Sequence, residues 1–65
     1  MLDIIKANIV AYREAVIEHQ IAVHDALEYP DEESIRMIGK CEEIEKERLI
    51  DLLSVIETTI ARTRR

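Results

Sequence analysis

Pro30 is the only proline in this chain, and it divides the 65 residues into two halves that almost nothing else interrupts. From Leu2 to Glu28 there is neither glycine nor proline, and beyond Pro30 there is a single glycine, Gly39. Proline lacks an N–H and pushes the residue before it out of helical geometry, so a helix has to stop at or before Tyr29. Pro30 itself is at ease in the first turn of a new helix. Asp31, Glu32 and Glu33 then lie against the positive end of that helix's dipole. A connection this short makes the two helices antiparallel neighbours. The expected fold class is therefore all-α, a single helical-hairpin domain over 1–65. Its first helix covers about 2–28, the turn about 29–31, and the second helix about 31–62.

Apolar spacing supports both helices. Leu2, Ile5, Ile9, Tyr12, Val16, His19, Val23 and Ala26 alternate in steps of three and four, which is a heptad seam. Beyond the turn the best seam is Ile35, Ile38, Glu42, Glu45, Leu49, Leu52, Ile56 and Thr59, with Leu53 and Ile60 widening the stripe. Asp3 suits the start of the first helix, and Arg62, Arg64 and Arg65 suit the negative dipole at the end of the second. Gly39 is a weak point, costing about 1 kcal/mol relative to alanine unless it permits a close helix contact.

One hairpin of this size buries too little to offset its ordering entropy, and the usual staples are missing. Cys41 is the only cysteine, so there is no intramolecular disulfide and no cysteine cluster for zinc. Self-association is the expected source of further buried area, most simply as a homodimeric four-helix bundle. The first helix has apolar residues to spare, because Val10, Ile17 and Ile21 form a strip away from the main seam. Ala11, Ala15 and Ala22 lie on its other flank, where small residues let another helix approach. The residues expected to carry self-association are Val10, Ile17 and Ile21 with Leu49, Leu53 and Ile56.

Charge sets an orientation. Between Arg13 and Arg36 there are seven acidic residues and no Lys or Arg; they are Glu14, Glu18, Asp25, Glu28, Asp31, Glu32 and Glu33. The opposite end carries Lys6, Arg62, Arg64, Arg65 and the amino terminus. Two such hairpins repel when their turns meet and attract when each acidic turn meets a basic tail, a preference that salt weakens. The length, the near-central acidic turn from Tyr29 to Glu33 and the heptad patterning resemble the Rop family of plasmid RNA-binding proteins. These are short hairpins that form antiparallel four-helix dimers. The resemblance implies RNA binding through the outward face of the first helices, which here offers Glu14 and Glu18 against Lys6 and Arg13.

The net charge of −5 disfavours both a phosphate backbone and an anionic membrane surface. No run approaches the roughly 20 apolar residues of a membrane span. Met1 to Val10 does not read as a signal peptide, since Asp3, Lys6 and Asn8 interrupt its apolar pattern. With a lone thiol, the expected location is the reducing cytoplasm.

The middle of the second helix, Glu42 to Arg48, has Ile44 as its single apolar residue. Antiparallel pairing about Pro30 sets this stretch against Tyr12, Val16 and His19. A polar core layer of Tyr12, His19, Glu45 and Arg48 is expected, with Glu42 nearby, fixing register and orientation. The alternative is a metal-binding four-helix bundle, since inward carboxylates and imidazoles build di-iron sites. Those sites use Glu-x-x-His on one helix, a motif this chain lacks, and Arg48 would oppose a cation. The run Glu42, Glu43, Glu45, Glu47 and Asp51 also resembles the acidic helices of MazG-type nucleotide pyrophosphohydrolases, which hold magnesium. A solvated charged face is its ordinary explanation. His24 reads as a surface residue and Cys41 as a small buried one.

No catalytic triad and no phosphate-cradling glycine loop is present. The chain is therefore expected to be no enzyme, to need no cofactor, and to act as a small regulatory or adaptor protein. Its partners are itself and another protein with a basic surface, met by an acidic surface of Asp25, Glu28, Asp31, Glu32 and Glu33. A phage- or plasmid-encoded inhibitor of a host regulator works in this way. A Rop-like nucleic-acid-binding hairpin is the second reading.

Overall fold

The computed structural model describes residues 2–64; Met1 with its amino terminus, and Arg65, lie outside the described residues. The described residues form two helices, α1 over Leu2–Glu28 and α2 over Glu32–Thr63. They pack on each other as an antiparallel hairpin 53 Å long and 15 by 11 Å across. The Tyr29 N–H still donates to the Asp25 carbonyl at 2.8 Å, so α1 runs until Pro30 makes further helix impossible. Asp31 is the N-cap of α2: its backbone is extended and its side chain accepts the Ser34 N–H at 2.8 Å. That hydrogen bond favours the charged carboxylate and holds the Asp31 pKa below its ordinary value. At the far end the Arg64 N–H donates to the Ile60 carbonyl, closing α2.

The contact between the helices differs from the expected seam in one systematic way. Ile5, Tyr12, Val16, His19 and Ala26 are half-buried as expected, but Asn8, Ala15 and Ala22 stand among them while Ile9 and Val23, also expected there, are exposed. On α2, Ser34 and Cys41 take the places expected for Ile35 and Glu42, while Ile38, Glu45, Leu52, Ile56 and Thr59 keep theirs. Each helix is rotated about its axis toward its smaller side chains, with the alanine flank meeting α2 of the same chain. Small residues let the two backbones approach, and the bulkier neighbours are turned out. Ala15 and Cys41, 5% and 8% exposed, are the only buried residues among those described.

Candidate interaction surface

The rotation of both helices decides what the outside of the hairpin offers. At about 3.6 residues per turn, positions seven apart fall in nearly one strip. Leu2, Ile9, Val16 and Val23 therefore share a strip just past the α1 seam, and Ile35, Leu49, Leu53 and Ile60 lie just past the α2 seam. In antiparallel right-handed helices these two flanks turn to the same side of the hairpin. The result is a single broad apolar face. Ile9, Leu53 and Ile60 are 46%, 50% and 47% exposed on it, while Val16 and Ile56 are half-buried toward its centre.

The expected self-association residues divide accordingly. Leu49, Leu53 and Ile56 belong to the broad face. Val10, Ile17 and Ile21 are also exposed, but they occupy the side of α1 directed away from α2, and the structure does not bring the two triplets together. What the sequence reading missed is the companion strip of Ile9, Val16 and Val23, because it assigned those residues to the contact within the hairpin.

Of the expected polar layer, two members meet. His19 Nδ1 and Glu45 Oε2 are 2.6 Å apart, both half-buried, with the imidazole N–H donating to the carboxylate. The pair sits at the edge of a shallow groove of about 230 Å³ shared with Glu42, Lys46 and Leu49, which opens on the broad apolar face. Tyr12 is half-buried one heptad before His19. Arg48 is turned to the opposite face, exposed, with Nη1 3.8 Å from Asp51 on its own helix. Among the described residues no three His, Cys, Asp or Glu side chains converge as a metal site.

The opposite face carries the larger of these two grooves. It is about 400 Å³, close to the turn, with Ile21, Ala22, Met37 and Cys41 forming its apolar part and Glu18 and Asp25 on the α1 side. The Cys41 thiol is directed at the Glu18 carbonyl, 3.9 Å away, which marks it as a packed small side chain. The acidic residues Asp25, Glu28, Asp31, Glu32 and Glu33 are all exposed around the turn. Lys6, Arg62 and Arg64 are exposed at the other end, with Asp3 among them. His24 is exposed as well.

No helix among the described residues is long and apolar enough to cross a membrane. No protein-family model, curated protein or solved structure matches the chain.

Proposed function

We propose that this chain is a small, non-enzymatic regulatory or adaptor protein that acts in the cytoplasm as a homodimeric four-helix bundle and binds another protein through its acidic turn. The observation that carries this reading is the uneven charge along a 53 Å rod: five exposed carboxylates gather at the turn, with Arg36 the nearest cation on α2, and Lys6, Arg62 and Arg64 stand at the opposite end. Such a surface steers toward a basic partner and repels the phosphate backbone of a nucleic acid. A DNA-binding face of a regulator has the complementary charge, which is the chemistry that an inhibitor encoded by a phage or plasmid would exploit.

The test is capture from a native lysate across a salt series. The unaltered chain is compared with one in which Asp25, Glu28, Glu32 and Glu33 are changed to lysine. A basic protein retained by the first, released by salt and lost by the second is the expected result. Retention of RNA or DNA by the unaltered chain would favour the Rop-like alternative instead. Equal retention by both chains would remove the acidic turn from the account. Metal content of the purified protein tests the remaining alternative, since a metal-binding bundle would carry near-stoichiometric metal and melt earlier with a chelator.

A further inference from the structure

We infer that a second copy of the chain seats on the broad apolar face, turn to tail, with its α1 lying antiparallel across the α1 of the first. This rests on the homodimer proposed above, with the turn-to-tail orientation its charge favours, and adds the face and the residues that meet. Exposed area is the first argument. The hairpin exposes 5457 Å², whereas a compact monomer of its 7.6 kDa exposes roughly 4,300 Å². The excess of roughly 1,200 Å² is more than the roughly 800 Å² each partner covers in a standard stable interface. On the broad face it includes Leu2, Ile9 and Val23 of α1 and Ile35, Leu49, Leu53 and Ile60 of α2, exposed large apolar side chains drawn from both helices. Val10 and Ile17 lie on the side of α1 away from α2 and line no groove with it, whereas Ile21 meets α2 only at the groove by the turn, beside Met37 and Cys41.

Charge selects the orientation. Full overlap of two such rods puts a two-fold axis level with the middle of α1, near Ala15. With turns at opposite ends, Lys6 of one copy comes level with Asp25 and Glu28 of the other, and Arg64 with Glu32 and Glu33. With turns together, the five exposed carboxylates of each copy would face each other. The same overlap has a consequence at the core. Tyr12 lies three residues before Ala15 and His19 four after it, so Tyr12 of the second copy stands level with the His19–Glu45 pair of the first. The polar layer is thereby completed across copies.

Single cysteines test the face and the orientation together. In a Cys41→Ala background, Val16→Cys lies beside the axis and is expected to form an inter-copy disulfide under mild oxidation, since a bridge needs Cα atoms within about 7 Å. Ile17→Cys, one residue on and pointing away, is expected to stay reduced. A turns-together dimer would separate the two Val16 positions diagonally across the bundle and leave both cysteines reduced. A link at Ile17 in place of Val16, or no link at either in a chain of dimer mass, overturns the inference while leaving the homodimer intact. A monomer mass for the unaltered chain would instead remove the homodimer. The second measurement needs no cysteine and holds even if the Val16 variant fails to fold. Lys6→Glu with Arg64→Glu should weaken the dimer by roughly tenfold at low salt and much less at high salt. An unchanged dissociation constant at low salt overturns the turn-to-tail arrangement.

Discussion

The two faces of the hairpin are made from the same two helices but from different side chains. On one, Ile9, Val23, Leu49, Leu53 and Ile60 stand exposed in a row on each helix, with a half-buried His19–Glu45 pair near the middle. On the other, Ala11, Ala15, Ala22 and Cys41 leave room for shallow grooves in which Ile21, Met37 and Ile44 are exposed singly among charged residues such as Glu18, Asp25 and Arg48. Large apolar side chains that remain exposed after folding are stabilising when something covers them, whereas small ones lose little by facing water. The closest packing of this hairpin is made by its small residues, and many of its large apolar ones are left exposed, where the proposed second copy would cover them.

The largest effect should come from a charge on the broad face. Leu53→Asp would place a carboxylate in the proposed interface, and the chain should become monomeric and lose most of its helicity by circular dichroism. Ile17→Asp, on the far side of α1, should leave mass and melting temperature unchanged. Equal disruption by both, or disruption by Ile17→Asp alone, would break the distinction between the faces.

The next effect concerns the polar pair on the broad face. His19→Leu combined with Glu45→Leu should keep the helicity and leave stability unchanged or raise it by about 1–4 kcal/mol, because a partly buried polar pair is exchanged for apolar packing. Its cost should appear as mixed orientations, read as several species by crosslinking or by native mass measurement. A single, markedly less stable species would show that the pair holds the fold itself.

Gly39 sharpens the comparison from within α2. A Cβ built there meets nothing within 4 Å. Gly39→Ala should therefore stabilise the helix by about 1 kcal/mol without changing the assembly, measured by urea unfolding. A loss of dimer would mean that the second copy approaches this position closely.

The smallest effect is expected at the turn. The Asp31 carboxylate, held below its ordinary pKa by the Ser34 N–H, contributes stability at pH values above the ordinary carboxylate range. That contribution is lost as pH falls through the depressed pKa, because protonation then weakens the cap. Asp31→Ala should lower the melting temperature slightly at neutral pH and make little difference in strong acid. A difference that persists undiminished in acid would show that the charged cap is not its source.

Much of this architecture can be read in the residues alone. The expected helices at about 2–28 and 31–62 compare with Leu2–Glu28 and Glu32–Thr63, because Pro30 and the Asp31 cap are local signals that need no tertiary context. The meeting of His19 with Glu45 follows from antiparallel pairing about that turn. The rotation of each helix does not. Along α1, Ile5, Tyr12, His19 and Ala26 form an unbroken heptad with either Ile9, Val16 and Val23 or Asn8, Ala15 and Ala22. The first set is more hydrophobic and the second is smaller. Hydrophobicity favours the first, whereas close packing of two backbones favours the second, and the sequence pattern is the same for both. Arg48 followed from the same ambiguity, since turning α2 toward Ser34 and Cys41 carries Arg48 out of the layer and toward Asp51.

Sedimentation of the unaltered chain across low micromolar concentrations distinguishes a dimer from a folded monomer. A face kept for association predicts a mass of about twice 7.6 kDa, with dissociation on dilution accompanied by loss of helicity. A folded monomer, helical and independent of concentration, would contradict it.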